Sequence, residues 1–371
     1  MKIAQRLNAG LFSASPSGTK RRAVMNDSDP QLERYRRQMR FASLGEEGQR
    51  RLAASRALVC GCGALGSVIA DQIVRAGVGH VRIVDRDFLE RDNLHRQVLF
   101  DERDVAEELP KAVAAARRLR QINSEIEIEA EVADVTAANI ARLADGVGVI
   151  VDGTDNFETR YLLNDYAVAN NVPWVFGGCV GAEGQMLAIL PGESACLSCL
   201  LPEPPPAELQ PTCETAGVIG PIVATIAALQ SAEALKILSG HREAVSRRLA
   251  VIDLWNNQLR TIGIARATDE PRCHTCVEHD FPWLEGRRGS AAISLCGRNA
   301  VQLASPGGEP TSLAQLAAKL QSVGKVSVNP FLLRLEVEQY RITVFADGRA
   351  IVGGTDDVAE ARVVHARYVG G

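Results

Sequence analysis

A glycine-rich loop between a strand pattern and a helix pattern constrains the fold of this chain most. The apolar run Ala57–Cys60 leads into Gly61-Cys-Gly63-Ala-Leu-Gly66, and an amphipathic run follows. Roughly 20 residues further on, a second apolar run ends at Asp85. Glycines there allow a tight turn and close phosphate approach, the helix N-terminus offers free N–H groups, and the acid suits ribose hydroxyls. The pattern predicts an adenine nucleotide bound by Gly61, Gly63, Gly66 and Asp85.

Strand and helix patterns alternate through about residue 180, which predicts an α/β fold with a doubly wound, mostly parallel, Rossmann-like sheet. Ligands of such sheets bind beyond the carboxyl ends of the strands, where the glycine loop, Asp85 and residues 152–156 all fall. Strands are predicted at 57–60, 80–84, 126–132, 147–151, 172–176, 185–190, 249–254 and 258–264, and helices at 65–77, 110–122, from Thr136, 158–170 and 215–238.

The length of 371 residues favours more than one domain. Residues 1–29 are predicted to be a disordered tail, residues 30–286 a nucleotide-binding domain, and residues 287–371 a small α+β domain without catalytic features. In the last part we expect strands at 291–295, 300–303, 325–337, 340–345 and 349–352, and helices at 312–323 and 357–368.

Composition excludes several classes of protein. A net charge of −4 with scattered lysines and arginines argues against nucleic acid as a partner. No apolar run reaches the length of about 18 residues that a membrane span needs. The chain has nine cysteines and no recognisable export signal, so we expect a cytoplasmic protein whose cysteines serve metal binding or catalysis rather than disulfides.

Cationic and amide side chains follow the second strand. Asn93 and Arg96 lie in Asp92-Asn-Leu-His-Arg-Gln97, where a loop would cross the nucleotide, and both can bind triphosphate oxygens. Lys111 follows Pro110 at the start of a helix, so its ammonium can point at the same phosphates. The alternative for each of these residues is ordinary solvated surface charge.

Two acids end the next buried strand, in Asp152-Gly-Thr-Asp155-Asn156. A carboxylate at this edge can hold Mg²⁺, which prefers one or two carboxylates plus phosphate oxygens. The alternative is an Asx turn that caps the following helix. We favour Asp155 as the metal ligand, with the other acid free to cap.

Four cysteines form two Cys-x-x-Cys pairs, Cys196/Cys199 and Cys273/Cys276, a pattern that suits tetrahedral Zn²⁺. A closed four-thiolate site has no open position, so this zinc would be structural. It would fix the proline-rich segment that includes residues 203–206 to the end of the main domain. The alternative is two unrelated or redox-active cysteine pairs.

Cys213 stands apart, ahead of a long helix whose dipole favours its thiolate. The neighbouring Glu214 opposes that effect, and an ordinary, partly buried cysteine is the alternative.

Taken together, these motifs resemble the ThiF/MoeB/HesA family, bacterial relatives of ubiquitin-activating enzymes that adenylate small sulfur-carrier proteins. The resemblance covers about residues 33–280. It implies that the segment Arg34-Tyr-Arg-Arg-Gln38 belongs to the family's N-terminal motif, in which Arg37 reaches the ATP of the partner subunit in a homodimer. It further implies that the nucleotide is contacted by residues of the glycine loop, the exits of two further strands and the start of the helix at 110–122. These residues are Gly61, Gly63, Ala64, Gly66, Asp85, Asp92, Asn93, Leu94, His95, Arg96, Lys111, Asp155 and Asn156.

The resemblance implies a nucleotidyltransferase that uses ATP and Mg²⁺ to adenylate the C-terminal glycine of a ubiquitin-like carrier ending in Gly-Gly. Arg37, Arg96, Lys111, Asp155 and Cys213 would be the catalytic residues. The carrier would serve thiamine or molybdopterin synthesis, with a separate sulfurtransferase or cysteine desulfurase supplying sulfur. Its carboxylate is ionised at neutral pH, so attack on the α-phosphate needs positioning and charge neutralisation rather than a general base. The alternatives are an NAD-dependent dehydrogenase and an inactive carrier-binding scaffold.

Overall fold

A computed structural model describes residues 30–206, 215–289, 292–295, 299–303 and 312–370. The predicted tail at 1–29 and Cys213 lie outside these ranges. The strands are β1 (Arg56–Cys60), β2 (His80–Val84), β3 (Glu127–Glu131), β4 (Val149–Asp152), β5 (Trp174–Val180), β6 (Glu183–Ile189), β7 (Arg248–Asp253), β8 (Gln258–Gly263), β9 (Ala292–Leu295), β10 (Ala300–Leu303), β11 (Lys325–Val328), β12 (Leu332–Val337), β13 (Tyr340–Phe345) and β14 (Ala350–Gly353).

The helices connect these strands and cover both faces of the first sheet. They are α1 (Arg36–Met39), α2 (Gly45–Ala54), α3 (Ala64–Arg75), α4 (Glu102–Ala106), α5 (Lys111–Ile122), α6 (Ile140–Leu143), α7 (Phe157–Ala169), α8 (Leu197–Leu200), α9 (Gly220–Leu238), α10 (Leu313–Leu320) and α11 (Val358–Tyr368), with short 3₁₀ helices at Pro30–Tyr35, Arg91–Asn93 and Arg242–Ala244.

The first sheet has the strand order β3-β2-β1-β4-β5-β6-β7-β8. The pairings from β3 through β5 are parallel, and β6, β7 and β8 add antiparallel pairings at one side. The order reverses between β1 and β4, so the switch point of the sheet lies beside the loop that follows β1. This arrangement confirms the predicted Rossmann-like sheet.

The first sheet is buried between two apolar layers. Residues such as Val59, Ile69 and Ile226 form one layer, and Leu58, Tyr161 and Trp174 form the layer on the opposite face. Helix α9 is long and apolar enough, by length and composition alone, to cross a membrane. It contacts β4, β5, β6 and α3, however, so its apolar residues belong to the core.

The second sheet, here called the C-terminal sheet, comprises β9–β14 in the order β11-β12-β13-β14-β10-β9, and all its pairings are antiparallel. Together with α10 and α11 it has its own apolar core, which includes Val301, Leu333 and Ile342. This unit confirms the predicted small α+β region.

Three predicted elements differ from the structure for local reasons. The predicted strand 325–337 is two strands, because Asn329 Oδ1 accepts hydrogen bonds from the N–H groups of Phe331 and Leu332 and turns the chain. The helix predicted from residue 215 begins at Gly220, where the following proline suits a first turn. The helix predicted from Thr136 is the single turn α6, preceded by a turn closed by Asn139.

Candidate active site

The glycine loop connects β1 to α3 and passes close to the end of β4. Gly61 has φ +82°, and a Cβ atom there would lie 2.7 Å from the carbonyl oxygen of Gly153. A Cβ atom on Gly66 would lie 1.9 Å from the carbonyl oxygen of Gly61. Both positions therefore require glycine on steric grounds.

Gly63 is different. A Cβ atom there would meet no described atom nearer than Gln97 Nε2, at 3.8 Å. Packing against the described residues does not demand glycine at this position, so its small size leaves a cradle in the loop. The cradle lies at the N-cap of α3, just before Ala64, where backbone N–H groups favour an anion.

Asp85 ties the end of β2 to this loop. Its two carboxylate oxygens accept hydrogen bonds from the N–H of Cys62 at 2.6 Å and from the N–H of Asp87 at 2.7 Å. Burial raises the pKa of the Asp85 carboxyl, and nearby Lys111 acts in the opposite direction. Asp85 thus has a fixed orientation at the position that the fingerprint gives to the ribose ligand.

Lys111 begins α5 and is buried. Its Nζ lies 3.1 Å from Asp87 Oδ2, and its backbone N–H donates to the carbonyl of Asp87 at 2.9 Å. The structure therefore brings Lys111 to the predicted edge of the sheet, in contact with an acid that the sequence analysis did not single out.

The segment Asp92–Gln97 forms a 3₁₀ turn and its exit. The amide of the buried Asn93 holds this turn, because its oxygen accepts from the N–H of Glu90 at 3.3 Å and its Nδ2 donates to Asp92 Oδ1 at 3.0 Å. Arg96 is half-buried and donates to the carbonyl of Asp92 at 2.8 Å. Leu94 packs against the core, and His95 is exposed.

A buried ion pair supports the loop after β4. Asp152 is fully buried, and Arg160 Nε lies 3.2 Å from Asp152 Oδ2. Arg160 also donates to the carbonyls of Thr154 at 2.7 Å and Gly177 at 3.0 Å. Burial raises the pKa of the Asp152 carboxyl, and Arg160 opposes that rise.

The cap of helix α7 is Asn156, whose Oδ1 accepts from the N–H of Thr159 at 2.8 Å. The expectation that one of the two acids caps this helix is therefore wrong. Asp152 does form an Asx turn, in which its Oδ1 accepts from the N–H of Thr154 at 2.8 Å, but this turn precedes the helix and Asp152 Oδ2 pairs with Arg160. Asp155 is exposed beyond the strand end. Its carboxylate is the kind of oxygen ligand that Mg²⁺ prefers. Arg37, on α1, is also exposed.

Two further side chains organise this edge and were missed from the sequence. Gln230 of α9 donates to the carbonyls of Asp152 and Val175, at 2.8 and 3.2 Å.

The second of these side chains is Arg86, whose Nη1 lies 3.3 Å from Asp134 Oδ2. Burial alone would lower the pKa of the Arg86 guanidinium, but the carboxylates of Asp134 and Asp87 raise it. Asp87 could have been found from the sequence, because it is an acid that follows Asp85 by only two residues. No local sequence pattern marks Gln230.

The four cysteines predicted to bind metal lie together on the face of the sheet that carries α7. The sulfur atoms of Cys196 and Cys273 are 3.5 Å apart, and those of Cys199 and Cys276 are 3.4 Å apart. All four sulfurs lie within 4.8 Å of one another. Tetrahedral zinc with bonds of about 2.3 Å separates its sulfur ligands by ~3.8 Å, so the cluster is compatible with zinc.

Buried polar groups brace this cluster. Ser198 and Thr275, one from each cysteine pair, share a hydrogen bond of 2.9 Å between their hydroxyls. Asp165 of α7 accepts from the N–H of Trp283 at 2.9 Å and from Thr275 Oγ1 at 3.4 Å. Burial raises the pKa of the Asp165 carboxyl to about 6.

Comparison with known proteins identifies the family. The model of the ThiF family matches residues 35–275. The chain is also 42% identical over 338 residues to the "Sulfur carrier protein ThiS adenylyltransferase" of Bacillus subtilis, covering 91% of this chain and 99% of that protein. The chain belongs to the ThiF family. The resemblance seen in its motifs is thereby confirmed, and the match with the Bacillus protein is long enough that it must reach into the C-terminal sheet.

One further relative by sequence and one solved structure are also similar to this chain. The "Sulfur carrier protein adenylyltransferase" of Thermus thermophilus is 39% identical over 251 residues, which cover 66% of this chain and 91% of that protein. The crystal structure of E. coli MccB with ATP has a TM-score of 0.57 at 23% identity, covering 66% of this chain and 74% of the other. That structural likeness supports the fold of the first sheet.

Proposed function

We propose that this ThiF-family chain adenylates the C-terminal glycine of a ubiquitin-like sulfur-carrier protein. One observation carries the proposal. The open cradle at Gly63, the fixed Asp85 and the exposed Asp155 follow β1, β2 and β4, which are neighbouring strands at the switch point of the sheet. They do so in a chain that is 42% identical, over nearly its whole length, to a protein named as a ThiS adenylyltransferase.

In the proposed reaction, a carboxylate oxygen of the carrier's last glycine attacks the α-phosphorus of ATP. The bond between the α-phosphorus and the bridging oxygen breaks, and pyrophosphate leaves with the electron pair. No proton has to be removed from the carboxylate, so the protein's task is to align the reactants and to neutralise negative charge.

The proposed roles follow from position. Asp85 binds the ribose hydroxyls, the cradle at Gly63 receives phosphate oxygens, and Arg96 and Lys111 supply positive charge. Asp155 would hold Mg²⁺, which would neutralise phosphate charge during displacement. Asn93, buried and bonded within its own turn, fixes the segment that carries Arg96.

The test is carrier-dependent exchange of radiolabelled pyrophosphate into ATP, run against a panel of purified sulfur carriers. The relative named for ThiS favours a thiamine-type carrier over a molybdopterin-type one. We expect exchange with at least one carrier, and none with the same carrier lacking its two terminal glycines. Absence of exchange with every intact carrier, despite ATP binding, would contradict the proposal and favour the inactive scaffold; reduction of NAD⁺ would favour the dehydrogenase.

We also propose a homodimer in which Arg37 completes the site of the partner subunit. Its exposure on α1 supports this role. Mixing an Arg37→Ala chain with an Asp155→Ala chain should restore one working site per heterodimer. Persistent inactivity despite confirmed subunit mixing would contradict a role in trans.

For sulfur transfer we propose a separate sulfurtransferase or cysteine desulfurase, with Cys213 attacking the acyl-adenylate to form a thioester and release AMP. Adenylation itself does not need this thiol. Cys213→Ala should therefore keep pyrophosphate exchange and lose delivery of sulfur to the carrier, as measured by mass spectrometry of the carrier. Loss of exchange would indicate a structural role instead.

Three further proposals complete the account. The four-cysteine cluster holds one structural zinc. The chain divides into an ATP-binding domain ending near residue 286 and a smaller domain after it, each with its own core. The protein is cytoplasmic, where ATP is available and where the reducing environment keeps the four cysteines from forming disulfides.

A further inference from the structure

Two short segments beside the candidate ATP site pair with each other. The first follows β2 at residues 86–90, and the second precedes α5 at residues 108–111. The N–H of Leu89 donates to the carbonyl of Leu109 at 3.2 Å, and the N–H of Lys111 donates to the carbonyl of Asp87 at 2.9 Å. These segments lead directly to Asp85 on one side and into Lys111 on the other, so their pairing sets the distance between the two side chains.

The C-terminal sheet contacts both segments through Arg334 of β12. The Arg334 guanidinium lies over the ring of Phe88, 4.9 Å from its centroid, and pairs with the carboxylate of Glu108. Asn329 lies in the turn between β11 and β12, and its side chain donates to the carbonyl of Glu108 at 3.3 Å. Glu108 has φ +50°, a conformation that is costly for a residue other than glycine and that persists only where contacts hold it.

A second contact reaches the same edge from β10 and from the turn before β14. Gln302 Nε2 donates to Asp134 Oδ2 at 2.6 Å, and Arg349 Nη2 donates to the carbonyl of Arg86 at 3.4 Å. Arg86 and Asp134 are themselves an ion pair. The C-terminal sheet thus holds the exit of β2 at two places, residue 86 and residue 88.

The contact of Arg334 borders open space on one side. A cavity of about 450 Å³ lies beside it, lined by residues that include Phe88, Arg91, Glu108 and Arg341. A pairing as short as the one between the two segments has little stability of its own. Removing Arg334 should therefore loosen the pairing itself.

We propose that the C-terminal sheet clamps these two segments and so positions Asp85 and Lys111 for ATP, with Arg334 as the positioning residue. The inference rests on the proposed function for the identity of the nucleotide. It gives residues 287–371 a role in ATP binding, although none of their side chains is assigned to touch the nucleotide. Groups that bind a substrate must be held within fractions of an ångström to be effective.

The test compares Arg334→Ala with Arg334→Lys and with a matched control, Arg341→Ala. Arg341 lines the same cavity, is 64% exposed, and pairs with Glu336 of its own sheet. Equilibrium ATP binding is measured by calorimetry without a carrier. We expect Arg334→Ala to raise the dissociation constant roughly tenfold, Arg334→Lys to recover most of the loss, and Arg341→Ala to match the wild type. At saturating ATP, kcat for exchange should also fall, because Lys111 supplies positive charge to the displacement.

Hydrogen exchange distinguishes positioning from general destabilisation. In Arg334→Ala the amides of Leu89 and Lys111 should exchange faster, whereas those of Trp283 and Leu284 beside the cysteine cluster should not change. Glu108→Gln should weaken ATP binding by a similar factor, and combining it with Arg334→Ala should add little, because both changes break one contact.

Wild-type ATP affinity in Arg334→Ala, or unchanged exchange at Leu89 and Lys111, would overturn the clamp. If the wild-type protein binds ATP with these variant effects but supports exchange with no carrier, the proposed function fails and the clamp stands. A wild-type protein that binds no ATP would overturn both.

Discussion

The nucleotide edge and the cysteine cluster lie on the same sheet but are built differently. In the cluster, the four ligand sulfurs are already within 4.8 Å of one another and are braced by buried hydroxyls and Asp165. At the nucleotide edge the supporting residues Asn93 and Asp152 are buried, whereas Asp155 is exposed. A site for a resident ion is assembled by folding. A site for a substrate keeps a rigid base, which here includes the buried Asp85 and Lys111, and leaves groups such as Asp155 exposed to receive the ligand.

The largest expected effect is on the cluster. Cys273→Ser should remove the bound zinc and destabilise the protein by several kcal/mol, because binding energy at a structural zinc site is folding energy. Metal analysis and thermal unfolding measure both effects. Cys179→Ser, outside the cluster, is the control and should keep one zinc per chain. Wild-type protein purified without zinc would show that the cluster is not a site for a resident ion.

The base of the nucleotide edge should behave like the cluster. Arg160→Met leaves the fully buried Asp152 carboxylate without its cation, which typically costs about 3–5 kcal/mol. Urea unfolding measures the loss, and Arg118→Met at an exposed position is the control. Adding Asp152→Leu to Arg160→Met should recover part of the stability. A stable Arg160→Met protein would mean that the ion pair does not support this edge.

The contacting groups should behave oppositely. Asp155→Ala and Arg96→Ala should each reduce pyrophosphate exchange by about 10²-fold or more, because each removes charge stabilisation from the displacement. The unfolding midpoint of Asp155→Ala should stay close to that of the wild type, since exposed changes usually alter stability by less than about 0.5 kcal/mol. The half-buried Arg96 donates a hydrogen bond to the carbonyl of Asp92, so Arg96→Ala should cost about 1 kcal/mol. The exposed Asp145 and Arg118 provide matched alanine controls with full activity. Full exchange in either site variant would remove that residue from the proposed site.

Sequence reasoning located features whose signal is local. The glycine loop, Asp85 and the two Cys-x-x-Cys pairs were visible because spacing along the chain fixes their chemistry. The cap at Asn156 was misassigned, because every Asp and Asn in that loop can cap a helix. The contacts of Gln302 with Asp134 and of Arg334 with Glu108 join residues far apart in the sequence, and no local pattern marks them.

The smallest expected effect concerns Asp165, whose carboxyl pKa is raised by burial to about 6. Between its ordinary pKa and this value the folded state holds a proton that the unfolded chain has released, so stability falls as pH rises through this range. From pH 5.5 to 7.5 the wild type should lose ~1 kcal/mol relative to Asp165→Asn. Urea unfolding at both pH values measures the difference. Parallel stability profiles would mean that Asp165 stays ionised.

The most direct test of the central claim follows the carrier's own oxygen. A carrier whose C-terminal carboxylate is labelled with ¹⁸O is incubated with the enzyme, ATP and Mg²⁺, and the activated carrier is then trapped with hydroxylamine. Attack at the carbonyl carbon releases the bridging oxygen with the nucleotide, so the account predicts AMP that carries one ¹⁸O atom, together with unlabelled pyrophosphate. Label in inorganic phosphate, with ADP as the nucleotide product, would show activation by phosphorylation and would contradict adenylation.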